Sequence, residues 1–235
     1  MIPAGRSNSR PRFPVSIFRM PLACPVPDLP VTGAGRSAAP LFIFRRLTPA
    51  LLHRAILPVK DVSTIELQPT LTGEHLSLRP LREDDFEALY TAASDPLIWE
   101  QHPQPTRWQR EVFQTFFTLA MASGGAFTVV DPATGAILGS SRYYDWNPAS
   151  REIAIGYTFL TRHYWGGPAN REMKRLMLEH IFQWAEKVWF HIGTENRRSR
   201  KATEKLGGIY SHTADFPALG TPHAFYYIPV ISLTS

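Results

Sequence analysis

The sequence predicts an α/β domain on one mixed sheet, and three observations carry that prediction. Strand-period and helix-period runs alternate between Leu71 and Val230. The strand-like runs Ala126–Val130 and Ala136–Tyr144 flank Asp131-Pro-Ala-Thr-Gly135, whose composition is that of a tight hairpin loop. A clear strand, Glu152–Leu160, then feeds a glycine-containing loop and a helix start. No internal repeat interrupts this order.

The elements follow one another with local reasons. His75-Leu-Ser-Leu-Arg79 alternates as a short strand. Asp84-Asp-Phe-Glu87 offers a helix cap with an acid three residues on, and Phe86, Leu89, Tyr90 and Ala93 follow at helical spacing. Thr106-Arg-Trp-Gln109 reads as a second cap. It opens a helix expected to place Trp108, Val112, Phe116, Leu119 and Ala120 on one face, ended by Gly124-Gly125. Asn147-Pro-Ala-Ser150 is a turn. In Glu152–Leu160, Ile153, Ile155, Tyr157 and Phe159 are expected to point one way, and Glu152, Ala154, Gly156, Thr158 and Leu160 the other. A helix from about Asn170 carries Met173, Leu176, Met177, His180, Ile181 and Trp184 as one apolar stripe. Val188–Ile192 is a strand, Asn196–Leu206 a basic helix stopped by Gly207-Gly208, Thr213–His223 a late loop, and Phe225–Val230 a final strand.

Charge divides the chain of 235 residues in two. Residues 1–60 hold eight Arg and one Lys against Asp28, about +8, and 10 of the 21 prolines. Residues 61–235 carry 16 basic and 19 acidic residues, about −3. The basic balance therefore belongs to the first segment, and a nucleic-acid face on the domain is not expected. Residues 1–62 read as a disordered extension and 63–235 as the domain. Two other readings of 1–60 stay open: an organelle-targeting leader, and a native start further downstream. Cys24 is the only cysteine, which excludes an intrachain disulfide or a Cys-rich metal site and fits a reducing, cytoplasmic setting. No long uncharged apolar run is present, so no membrane partner is expected. The eight His show no metal-ligand spacing, and no metal is expected.

The stretch Thr161-Arg-His-Tyr-Trp-Gly-Gly-Pro-Ala-Asn170-Arg-Glu-Met-Lys174 is the most informative. A strand, a glycine loop and a helix N-terminus in succession suit a phosphate or pyrophosphate. Neither a Walker-type ending nor the Rossmann glycine pattern occurs. Ile155-Gly-Tyr-Thr-Phe-Leu160, Tyr164-Trp-Gly-Gly and Asn170-x-Glu-x-Lys174 together resemble the central motif of the GNAT N-acetyltransferases. The branch they resemble more narrowly includes the ribosomal-protein alanine acetyltransferases. Val188-Trp-Phe-His-Ile-Gly193-x-x-Asn196-x-Arg-Ser199-x-x-Ala202-x-Glu-Lys-Leu-Gly207 is similar to that branch's last strand and helix, and Leu76-x-Leu-Arg-Pro80-Leu with Asp84-Asp to its start. The resemblance spans residues 71–230.

That resemblance implies a GNAT fold, acetyl-CoA as co-substrate, a primary amine as acceptor, and a monomer or homodimer. The pantetheine arm would pair with backbone near Tyr157, Phe159 and Leu160. The pyrophosphate would rest on Trp165, Gly166, Gly167, Ala169 and Asn170, with Asn196 and Ser199 contacting the arm and the phosphates. Ordinary alternatives stay open: a bare helix cap for Asn196, packing for Trp165. The sequence departs from the family pattern at Pro168 in the loop, at His163, and at Thr203, where many members carry a tyrosine that protonates the departing thiol. Glu152, on the small, polar face of the cleft strand, is the expected base and Asp145 the second candidate, although the family more often has its acid two residues later, where this chain has Ala154. Glu152→Gln is then expected to slow turnover and spare CoA affinity. The acceptor, a small amine or a protein N-terminus, would lie among the first two helices and the late loop, near Tyr90, Trp99, Trp108 and Phe216. The same departures support the alternative of a catalytically silent acyl-CoA-binding module.

Overall fold

The computed structural model describes residues 60–217 and 219–230. The extension expected to be disordered lies, apart from its last three residues, outside the described residues. Eight strands form one sheet: β1 (Leu71–Thr72), β2 (Ser77–Pro80), β3 (Ala126–Val130), β4 (Ile137–Asn147), β5 (Glu152–Leu160), β6 (Lys187–Gly193), β7 (Ile209–Phe216) and β8 (Thr221–Pro229). Four α-helices accompany them: α1 (Phe86–Ala93), α2 (Arg110–Ala122), α3 (Ala169–Ile181) and α4 (Arg197–Lys205). The sheet order is β1-β2-β3-β4-β5-β6-β8-β7. Every pair is antiparallel except β5 with β6, whose parallel register needs the α3 crossover between them.

Two apolar clusters hold the helices to the sheet. Met173, Met177, Leu178 and Ile181 of α3 pack with Leu78, Val129, Ile153, Ile155 and Val188. Leu89 and Ala93 of α1 and Phe113, Phe116, Phe117 and Ala120 of α2 pack with Trp99 and Phe159. The stripe expected on α2 is therefore shifted in phase. Leu119 is 61% exposed and Trp108 36%, while three phenylalanines turn inward. Both stripes have helical period, and the aromatic one removes more apolar surface from water. The late loop also needs correction, since residues 209–216 form edge strand β7. Its side chains are almost all exposed, so it carries no hydrophobic alternation from which to read it.

The most consequential correction concerns β5. Its register against β4 steps from Arg142↔Gly156 to Ser140↔Phe159, so two residues, Tyr157 and Thr158, oppose Ser141. This is a β-bulge, and Tyr157 takes a φ of 52° within it. The extra residue reverses the alternation. Ile153, Ile155 and Leu160 belong to the α3 cluster, whereas Phe159 belongs to the α1/α2 cluster and Tyr157 packs against it.

Asp85 fixes the start of α1 to the sheet. Arg79 donates to both its carboxylate oxygens at 2.7 and 2.6 Å, Thr128 Oγ1 donates at 2.7 Å and the Arg82 amide at 2.9 Å. Burial pushes the Asp85 pKa up, but these donors outweigh it and hold the carboxyl below its usual value. A depressed carboxylate contributes stability above the ordinary range and loses it as pH falls. Asp85→Asn leaves Arg79 without its anion and is expected to cost about 2–3 kcal/mol in urea denaturation at pH 7, less at pH 3. A loss below about 0.5 kcal/mol would show the pair to be dispensable.

Candidate active site

The parallel ladder between β5 and β6 is short. It pairs Glu152↔Lys187, Ile153↔Val188 and Ala154↔Trp189 and goes no further. Beyond Ala154 the strands part around a cleft of about 620 Å³. The edge of β5 from Ile155 to Leu160 lines this cleft without a strand partner. A central sheet edge with unpaired amides and carbonyls accepts an extended ligand as an added strand.

One end of the cleft is the loop into α3. The Trp165 indole donates to Leu160 O at 3.0 Å, tying the loop to the end of β5. Gly166 has a φ of 72°, a conformation glycine adopts without strain. Pro168 occupies the N-cap position with no side-chain cap. The first helical hydrogen bond runs from the Glu172 amide to Pro168 O, so the amides of Ala169, Asn170 and Arg171 have no helical acceptor. The Glu172 carboxylate accepts from the Glu74, His75 and Leu76 amides at 2.8, 2.8 and 3.2 Å, which anchors this end of α3 to the β1–β2 turn.

The other end is roofed by the segment before α2. Pro103 packs on Gly193, where a Cβ would come within 2.5 Å of the proline ring. Arg107 and Arg142 line this end, exposed by only 4% and 6%. His191 projects from β6 beside Tyr144, with Nδ1 and the tyrosine oxygen 2.9 Å apart. Burial, with His223 and His212 adding to it, lowers the His191 pKa to about 4, so the ring is neutral at pH 7. Between the two ends, Lys174 Nζ donates to Thr158 Oγ1 at 2.5 Å and Ser141 Oγ at 3.0 Å, which pins the bulge from the α3 side. Burial lowers its pKa to about 7. No Asp or Glu lines the cleft among the described residues.

The structure brings together most of the expected site residues. Tyr157, Phe159, Leu160, Trp165, Gly166, Asn170, Asn196 and Ser199 all line the cleft. Gly167 and Ala169 lie on a smaller depression beside it. Asn196 is also the α4 cap, its Oδ1 accepting from the Ser199 amide at 3.1 Å. Trp165 is covered by the Arg198 guanidinium, 3.7 Å from the ring centroid. Thr203 is buried against the cleft and presents a hydroxyl where the family tyrosine was expected. The two expected bases do not line the cleft. Both Glu152 oxygens are engaged, by Lys187 Nζ at 2.7 Å and Trp189 Nε1 at 3.0 Å, at the closed end of the β5/β6 pair. Asp145 is exposed, at a φ of 54°. Of the aromatic residues expected by the acceptor, Trp99 and Phe216 line the cleft, while Tyr90 and Trp108 do not. Arg107, Arg142, Lys174, Tyr144 and His191 were not anticipated as site residues. A lysine between Met173 and Met177, inside the buried phase of a helix, was the available signal for Lys174.

A split parallel pair, a bulged strand and a glycine loop leading into an uncapped helix start form a slot for an extended ligand with an anionic end. A family model for the acetyltransferase (GNAT) domain matches residues 75–209, and the chain belongs to that family. No curated protein matches it. Solved structures of similar fold include a GCN5-related N-acetyltransferase from Brucella melitensis, with 20% identity, TM-score 0.63, and coverage of 70% of this chain and 80% of that one. RimJ of Mycobacterium smegmatis in complex with CoA-disulfide is 16% identical, with TM-score 0.58 and coverage of 72% and 90%. A spermidine N-acetyltransferase chimera from Vibrio cholerae is 16% identical, with TM-score 0.54 and coverage of 69% and 100%. No helix among the described residues is long and apolar enough to cross a membrane.

Lys174 yields a pH test. Its charged form is the costly one in the fold, so between about pH 7 and the ordinary 10.5 the unfolded chain holds the extra proton. Stability from this group therefore rises with pH over that window. Denaturation at pH 7.5 and 9.0 is expected to show wild type gaining about 1–2 kcal/mol more than Lys174→Met, in which Ser141 and Thr158 keep their mutual 2.8 Å hydrogen bond. Equal slopes would show Lys174 to titrate normally.

Proposed function

We propose that the protein transfers the acetyl group of acetyl-CoA to a primary amine by direct attack. The observation that carries this reading is the splay of β5 from β6 after Ala154, opening on the uncapped start of α3. The pantetheine arm would add to the free edge of β5, and the pyrophosphate would meet the amides of Gly166, Gly167, Ala169 and Asn170, Pro168 having none to give. Asn196, with its amide nitrogen left over from capping, and Ser199 lie along the same wall.

Because no Asp or Glu lines the cleft among the described residues, in this reading the proton steps go to groups other than the expected carboxylate. Cations on the cleft wall disfavour a second positive charge, so the acceptor amine is held toward its neutral form. Its nitrogen attacks the thioester carbon, and the positively charged nitrogen of the adduct gives its proton to His191. With Nδ1–H donating to Tyr144, Nε2 is the free acceptor. The C–S bond then breaks and CoA leaves as the thiolate, which a thiol pKa near 8.5 permits without a dedicated acid. Backbone amides of the bulge are the available donors to the carbonyl oxygen as it gains charge. Glu152, held by Lys187 and Trp189, acts as a brace for the closed end of the strand pair.

A second reading is kept by Thr203 and the absence of a lining carboxylate: an acyl-CoA-binding module without turnover. Titration calorimetry with acetyl-CoA followed by thiol release over an amine panel separates the two, since binding without release from any amine selects the module. His191→Ala is expected to lower kcat about 100-fold and Tyr144→Phe about tenfold, with acetyl-CoA affinity within twofold of wild type. Unchanged kcat in His191→Ala removes it from the mechanism. Gly166→Val, whose side chain meets open space but whose backbone is strained, is expected to weaken acetyl-CoA binding tenfold or more. Unaltered affinity there would move the pyrophosphate elsewhere.

A further inference from the structure

Arg107 and Arg142 are the least compensated charges among the described residues. Neither lies within ion-pair distance of a carboxylate there, in contrast to Arg79, Arg110, Arg151, Arg162, Arg175 and Arg198. Nε of Arg107 and both Nε and Nη2 of Arg142 are buried with no hydrogen-bond partner. Arg107 Nη2 donates to the neutral Gln104 oxygen. Its Nη1 lies 3.2 Å from His102 Nε2, but His102 Nδ1 already accepts from the Gln104 amide. A neutral imidazole has one acceptor nitrogen, so the ring cannot serve both donors.

Both guanidiniums lie against the same aromatic ring. Arg107 lies 4.7 Å and Arg142 5.7 Å from the centroid of the same Phe116 ring, and Arg142 lies 4.2 Å over Tyr157. Aromatic faces recover only part of what two desolvated cations lose. Burial lowers both pKa values, that of Arg107 to about 10, and both groups stay charged at neutral pH. Their place in the cleft sets them apart from the donor's phosphates. Arg142 is opposite Gly156, and four residues of strand, roughly 13 Å, separate Gly156 from the end of β5 where the α3 loop begins. The roof of Pro103 on Gly193 and a cavity that must also hold the acyl arm leave room for a small acceptor.

We propose that the acceptor is a small amine carrying its own anionic group, a free amino acid being the simplest, and that Arg107 and Arg142 hold its carboxylate. This rests on the acetyl-transfer reading above and names its substrate class. An anion here supplies the charge that both arginines lack, and it offsets the repulsion that a purely cationic acceptor would meet. A polyamine, the acceptor in the name of the Vibrio cholerae relative, would meet that repulsion in full.

The test uses the full chain, acetyl-CoA, and matched acceptors: the standard amino acids, their carboxamides, spermidine, and peptides blocked at the C-terminus. At least one amino acid is expected to release thiol with kcat/KM about 100-fold or more above its carboxamide. Arg142→Met and Arg107→Met are expected to remove most of that ratio by raising KM, with acetyl-CoA affinity by calorimetry unchanged. Arg142→Met should melt at the same temperature as wild type or higher, because it deletes an unpaired buried charge; an arginine with a merely structural role would melt lower on removal. Equal use of acid and amide, preference for spermidine or a blocked peptide, or no turnover of any amino acid while another amine releases thiol would each overturn the proposal. So would a drop in acetyl-CoA affinity in Arg142→Met, which would place the arginines on the donor. Failure of wild type to bind acetyl-CoA, or binding without thiol release from any amine tested, would instead overturn the reading beneath it.

Discussion

Backbone hydrogen bonding in the middle of the sheet is the constraint from which the rest of the site follows. A central strand that ends its pairing at Ala154 exposes amides and carbonyls that a folded protein ordinarily satisfies. Here the gap is held open from both sides. The bulge at Tyr157–Thr158 turns β5 away, and Lys174 locks the bulge from α3 through Thr158 and Ser141. On the far side β6 keeps its full ladder with β8 from Lys187 to Gly193, so it cannot follow β5 to close the wedge. Closed at Glu152–Lys187 and forced apart above it, the pair forms a slot between two strand edges that no longer pair with each other. An extended amide-bearing chain is the ligand that such a slot fits.

Electrostatics then sorts the two ends of the slot. At the α3 end the attraction comes from main-chain amides at an uncapped helix start, suited to phosphate oxygens. At the roofed end it comes from two guanidiniums without anions. Between them stands a lysine poised near neutrality and a histidine held neutral. With no carboxylate on the wall among the described residues, the cleft favours neutral amines and anions. That bias removes the need for a strong base, because the amine is bound in the form that attacks. A ring with a pKa of about 4 is a weak base at neutral pH, so in the proposed reaction it holds the adduct's proton only in passing and returns it to the departing thiolate, whose pKa is near 8.5.

Much of the fold was legible in the sequence because its signals are local. The hairpin at Asp131–Gly135, the strand Glu152–Leu160 and the α3 stripe rest on turn chemistry and period, and the structure has all three. The donor side of the cleft was legible through motif resemblance at Ile155–Lys174 and Asn196–Gly207. What escaped depends on tertiary placement. A one-residue bulge leaves no mark in a strand pattern, yet it moves Phe159 from one core to the other. The α2 stripe had two helical phases, and only the sheet beneath could choose between them. Glu152 lies off the cleft for the same reason: it faces a polar side, as read, but Lys187 and Trp189 across the parallel pair engage both its oxygens. Arg107 and Arg142 are unremarkable in sequence. Their significance is the absence of a partner, which becomes visible once every neighbour is known.

The aromatic cluster under α2 has to be understood in that light. Phe116 belongs to the core that fixes α1 and α2, with Trp99, Phe113 and Phe159 around it. Its ring also lies under both arginines. A purely aliphatic side chain would fill the same volume and leave the guanidiniums in a medium that offers them nothing. An acid would satisfy them and, in doing so, occupy the site permanently. Aromatic faces lie between these extremes: they stabilise the cations enough for the domain to fold and too weakly to exclude an anion that offers paired hydrogen bonds. The end of the cleft proposed for the acceptor is thus part of the hydrophobic core, left electrostatically incomplete at the place where a ligand can complete it.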